Sequence, residues 1–147
     1  MGMQKYESLK LDRQLCFPLY ACSREVIKQY RPYLDVLDLT YTQYITMMVL
    51  WEKKQSSIKE LGKRLYLDSG TLTPVLKSLE AKGYVNRSRS TADERVLLVQ
   101  ITPEGKALRD KAVEIPGKLA KCVKLEANES LELYRLLHKL LDGVQEN

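Results

Sequence analysis

The thiols Cys16, Cys22 and Cys122 are the side chains of widest chemical range in this chain. A cysteine can be a buried apolar filler, a metal ligand or a reactive nucleophile, and its mere presence does not choose among them. Zinc fits poorly. Together with His138, the cysteines form no close ligand pair of the C-x-x-C kind, so no metal is expected. On a helix Cys22 would face more than half a turn away from Cys16, and it reads as a small buried apolar residue. Cys16 taken alone reads the same way. No Gly-rich phosphate loop and no catalytic triad pattern occurs, so neither a cofactor nor catalytic residues are expected.

A second chemistry lies in the middle of the chain. Ser69, Gly70, Thr71, Thr73 and Pro74 open an amphipathic segment with small or hydroxyl side chains, which can approach base edges and phosphates closely. Backbone N–H groups at such a helix start add phosphate donors. Lys77 and Ser78 follow, off the apolar stripe. Further on, Arg87, Arg89 and Arg95 surround Asp93 and Glu94. Arginines on a hairpin tip can enter a minor groove, where narrow A·T tracts concentrate negative potential. Asp93 cannot usefully face phosphate and is assigned to orienting a neighbouring arginine. Each piece has a plainer reading, as a surface helix or a solvated charged hairpin. The joint order favours DNA.

That order comes from the periodicity. Leu11, Leu15, Leu19, Cys22, Val26 and Tyr30 make a helical stripe, with Pro18 expected to kink it and Arg31-Pro32 expected to end it. Thr40 to Gln43 and Ser57 to Glu60 read as capping boxes, opening helices through Trp51 and Tyr66. Asp68-Ser69-Gly70 then breaks the chain before the segment ending at Lys82, with Gly83 as a C-terminal stop. Tyr84 to Arg89 and Arg95 to Ile101 read as a two-stranded hairpin. Thr102-Pro103-Glu104 starts a long helix, disturbed near Pro116-Gly117, and a last helix spans about Glu129 to Val144. Two short helices joined by a tight turn and flanked by a hairpin describe a mainly α winged helix-turn-helix. The spacing of Leu131, Tyr134, Leu137, Leu141 and Val144 is a packing stripe for dimerisation.

The length of 147 residues suits one domain and a core without disulfides. Lys plus Arg number 24 against 19 Asp plus Glu, a formal net charge of +5 that suits a nucleic-acid partner. No apolar run approaches the length of a membrane span, and residues 1–12 lack the core of a signal peptide, so a cytoplasmic protein is expected.

Leu67 to Pro74, followed by Leu79-Glu80 and Gly83-Tyr84-Val85, resembles the helix-turn-helix of the MarR family. Asp93-Glu94-Arg95 and Leu98 to Gly105 resemble that family's wing and following helix. Gln14 to Arg24, with Tyr30 and Thr40-Tyr41, is similar to its organic-hydroperoxide-sensing repressor branch. Pro18 and Cys22 depart from the branch pattern, where a larger apolar residue and a serine are expected. The resemblance implies an intertwined homodimer, with dimerisation helices at about 8–31 and 103–147 and a DNA-binding lobe at about 40–101. It implies a palindromic double-stranded operator and Cys16 as the sensor, with Tyr30 and Tyr41 of the second chain bonding the thiol and Tyr20 close by.

The chemistry implied is oxidation by an organic hydroperoxide. The thiolate is the nucleophile, phenolic O–H donors would stabilise it, and Leu15, Phe17, Leu19 and Trp51 would supply an apolar surround. The sulfenic acid condenses with a second thiol. Cys122 is the possible resolving thiol, through an intersubunit disulfide, and capping by a small thiol is the alternative. Two other functions stay open: release by a phenolic ligand without Cys16, and a thiol peroxidase, which lacks the expected alternating βαβ scaffold.

Overall fold

The computed structural model describes residues 2–146; Met1 and Asn147, the ends of the expected single domain, lie outside them. The chain divides into two compact units, one ending at Ile115 and one starting at Pro116. A helical turn at Gly2–Lys5 and 3-10 turns at Glu7–Leu9 and Leu11–Arg13 lead in. The first unit then runs α1 (Cys16–Val36), α2 (Tyr41–Lys53), β1 (Gln55–Ser57), α3 (Ile58–Leu65), α4 (Ser69–Ala81), β2 (Val85–Arg89), β3 (Leu97–Ile101) and α5 (Pro103–Ala112). Helix α6 (Ile115–Ala120) starts at the boundary, and the second unit carries α7 (Ala127–Gln145). Among the described residues no helix is long and apolar enough to cross a membrane.

Helix α2 is the hub of the first unit. Gln43, Tyr44, Thr46, Met47, Val49 and Leu50 are all buried, so it is enclosed on more than one side, and it touches α1, α3, α4, α5 and the sheet. Thr40 caps it reciprocally: the Gln43 N–H donates to Thr40 Oγ1 at 3.3 Å and the Thr40 N–H donates to Gln43 Oε1 at 3.0 Å. Leu61 from α3 and Leu72, Leu76 and Leu79 from α4 are wholly buried and pack the helix-turn-helix. Ser57 caps α3 by accepting the Glu60 N–H at 3.1 Å, but the Glu60 carboxylate accepts from Ser56 Oγ at 3.4 Å, so only half of that expected box forms.

Three expectations change. Pro18 falls in the first turn of α1, where its missing N–H would have had no helical partner, so it does not interrupt the hydrogen-bond ladder. Pro32 does not end α1; the helix continues through it to Val36. Burial of Leu34, Leu37 and Leu39 holds that last turn against the core and overrides the local preference of a residue before proline. The wing hairpin gains a third strand. Its order is β1-β3-β2, antiparallel throughout, with Ser56 and Arg87 on either side of Val99. A three-residue polar strand, Gln55–Ser57, has no alternation to announce it.

The start of α5 joins wing and core. Thr102 Oγ1 accepts the Gly105 N–H at 3.0 Å and donates to the Gly83 carbonyl at 2.6 Å. The Trp51 indole N–H donates to the Gly105 carbonyl at 2.8 Å. A Cβ on Gly105 would stand 2.2 Å from the Tyr84 carbonyl oxygen, backbone against backbone. Gly105→Ala is therefore expected to destabilise the fold by roughly 3 kcal/mol through overpacking. Urea unfolding followed by Trp51 fluorescence measures it; an unchanged midpoint would contradict the contact.

Candidate nucleic-acid interface and thiol site

The recognition helix α4 presents its hydroxyl-rich start outward. Ser69, Gly70, Thr71, Pro74 and Lys77 are exposed and Thr73 is half-buried. Asp68 caps the helix, its Oδ1 accepting the Thr71 N–H at 2.7 Å, and that bond holds its carboxyl below the usual carboxylate range. One backbone donor expected for phosphate is thus already taken, and a negative charge sits beside the others. Ser78 turns inward, its Oγ accepting from Gln43 Nε2 at 2.9 Å.

The wing sorts its arginines by role. Arg87 Nε and Nη2 donate to Glu80 Oε1 at 3.3 and 3.1 Å, and the Arg87 N–H donates to Glu80 Oε2 at 2.9 Å. These backbone and guanidinium bonds hold the Glu80 carboxyl below its usual value. Arg87 therefore pins β2 to α4 instead of reaching outward. Arg89 Nη1 donates to the Glu94 carbonyl at 3.0 Å, closing the wing tip across its turn. Asp93 Oδ1 accepts from the Arg95 N–H at 3.0 Å and from Arg95 Nε at 3.2 Å, and its carboxyl is likewise held low. The side chain of Arg95 stays 90% exposed, so Asp93 aims it without covering it.

The thiols lie apart in kind. Cys16 is the first residue of α1 and is exposed. Cys22 is exposed as well, so it does not read as buried filler within this chain. Cys122 is exposed in the turn after α6, where its Sγ approaches the Lys118 carbonyl at 3.7 Å; the expected long helix has already ended. Tyr20, on α1, lies against Arg24, whose guanidinium sits 5.5 Å over its ring.

Tyr30 and Tyr41 do come together, with ring centroids 5.0 Å apart. Tyr44 completes the cluster at 5.8 Å from Tyr30 and 6.2 Å from Tyr41, and meets Trp51 edge-on at 6.3 Å. Sequence reasoning missed Tyr44, although it lies one turn after Tyr41 and on the stripe of Trp51. Burial raises all three phenols, and Tyr44, beside the other two, is pushed up to about 12. At neutral pH every one of them remains an O–H donor.

Residues 28–112 match the family model described as transcriptional regulator SarA/Rot. The chain is 45% identical over 142 residues to the organic hydroperoxide resistance transcriptional regulator of Bacillus subtilis, covering 97% of each. Its fold is similar to reduced AbfR bound to DNA, with a TM-score of 0.80 at 32% identity over 97% of both chains. It is also similar to the disulfide form of AbfR, with a TM-score of 0.66 at 31% identity over 98% of both. A cysteine at a helix start, a packed phenol cluster and a winged helix-turn-helix thus accompany a match along nearly the whole chain: the protein belongs to the MarR-type winged-helix transcriptional regulators, in the branch of the SarA/Rot and organic hydroperoxide resistance regulators.

Proposed function

We propose that this protein is a cytoplasmic, homodimeric repressor that binds a palindromic operator and is released when an organic hydroperoxide oxidises Cys16. One observation carries the reading. Cys16 and Tyr30 stand on the same unbroken helix α1, nearly four turns apart. At the rise of an α-helix that is about 20 Å, well beyond the reach of a phenol. The donors that α1 and α2 gather around Tyr30 and Tyr41 can serve a Cys16 thiolate only from a second chain. The exposed apolar side chains of α1, among them Leu19 and Ile27, and those of α7, such as Leu131 and Tyr134, are surfaces of the kind a partner covers.

The chemistry follows from the thiolate. Its sulfur attacks the outer oxygen of the hydroperoxide, the O–O bond breaks, and the leaving alkoxide takes a proton to become an alcohol. Cys16 is left as sulfenic acid. A second thiol then attacks that sulfur, forms a disulfide and expels the hydroxyl as water. Cys122 of the partner subunit is our candidate for that thiol, exposed as it is. Disulfide formation at the start of α1 changes the spacing of the two recognition helices, which must sit about one DNA turn apart to fill both half-sites. On the DNA, Ser69, Gly70, Thr71, Thr73, Pro74 and Lys77 serve the major groove and Arg95 the minor groove, while Arg87 and Asp93 act by positioning.

An operator-shift assay with cumene hydroperoxide on wild type, Cys16→Ser and Cys122→Ser tests the sensor. Wild type is expected to leave the DNA and Cys16→Ser to stay bound; release of Cys16→Ser at wild-type doses would overturn the assignment. Release of Cys122→Ser at wild-type doses, with altered recovery in reductant, would place Cys122 in the reversal step and not in sensing. Arg95→Ala is expected to weaken reduced-state operator binding about tenfold at fixed salt, measured by fluorescence anisotropy; equal affinity would remove Arg95 from the interface.

A further inference from the structure

A buried polar joint connects the phenol cluster to the recognition helix. Gln43 is 6% exposed, and its side-chain amide is engaged at both ends. Its Oε1 accepts the Thr40 N–H at 3.0 Å and the Lys82 ammonium at 3.1 Å, and its Nε2 donates to Ser78 Oγ at 2.9 Å. Lys82 also donates to the backbone carbonyl of Asp38 and stands 3.6 Å from the Asp38 carboxylate. Asp38, at a left-handed φ of 54°, is where the chain turns out of α1. Ser78 lies near the end of α4 and Lys82 caps it. One amide thus ties the end of α1 and the first turn of α2 to the tail of the recognition helix.

The same turn of α2 carries the phenols. Tyr41 and Tyr44 bracket Gln43, and both rings pack on Tyr30 of α1. Apart from the Glu80–Arg87 pair with β2, α4 packs against the core through the buried Leu72, Leu76 and Leu79. Apolar contacts let helices slide; a buried hydrogen bond does not stretch gradually. If the first turn of α2 moves, either Ser78 and Lys82 follow it or a buried amide is left without partners, which is costly.

We infer that Gln43 is a positioning residue that transmits the state of the thiol site, through Ser78 and Lys82, to the orientation of the recognition helix. This rests on the redox reading above. The amide does not touch the thiol or the DNA; it makes α4 follow the phenol-bearing turn.

The test is the ratio of operator Kd for the peroxide-oxidised protein to that for the reduced protein, measured on the full chain at fixed salt. Cys16 oxidation is timed in the same samples. Gln43→Met keeps the volume and removes the hydrogen bonds. Gln43→Glu keeps acceptors for Thr40, Lys82 and the Ser78 hydroxyl. We expect Gln43→Met to lower the ratio at least fivefold while Cys16 oxidises at the wild-type rate, and Gln43→Glu to restore it to within twofold. Ser78→Ala breaks the same link from the other helix and should also lower the ratio, which keeps the test open if Gln43→Met folds poorly. A wild-type ratio in both Gln43→Met and Ser78→Ala overturns the inference, as does a lowered ratio that Gln43→Glu fails to rescue. A wild-type protein that oxidises and yet holds DNA with unchanged affinity overturns the redox reading and this inference together.

Discussion

An α-helix cannot fold back on itself, and that constraint organises this protein. Because α1 runs unbroken from Cys16 to Val36, the thiol at its start and Tyr30 in its second half are held apart by the helix itself. Neither can answer the other within one chain. The phenols are nonetheless assembled, since α2 folds back along the end of α1 and brings Tyr41 and Tyr44 onto Tyr30. Burial raises all three phenols further above their ordinary value. The chain therefore holds its thiol and its phenols far apart along one helix.

The DNA-facing parts depend on how firmly α4 and the wing are held. Three different bonds do this. Glu80 and Arg87 fasten β2 to α4, Thr102 fastens the start of α5 to the turn after α4, and Gln43 fastens the tail of α4 to α2. Each is polar and directional, laid over a leucine core that supplies burial but little register. The recognition surface is consequently coupled to its scaffold in orientation as well as in stability.

Much of this was legible along the chain. The capping residues Thr40, Ser57 and Thr102, the stop at Gly83 and the hairpin all appear where local chemistry placed them, because caps and turns are decided by neighbouring atoms. Pro32 was misleading for the opposite reason. Its local preference is to end a helix, and the burial of Leu34 and Leu37, contacts distant in sequence, overrides it. Strand β1 was invisible because Gln55–Ser57 pairs with β3 across a gap that no periodicity reports.

The division of labour is clearest at the sites. By itself the sequence determined the winged helix-turn-helix order and the role of Asp93 in orienting a neighbouring arginine, both of which rest on spacing within a turn or two. Only the tertiary structure decided that Arg87 serves Glu80, that Tyr44 joins Tyr30 and Tyr41, and that Ser78 turns inward to Gln43. Each of those choices is made by a partner brought near through packing, whose identity no local period encodes. A side chain's type limits what it can bond; the fold chooses which candidate comes within reach.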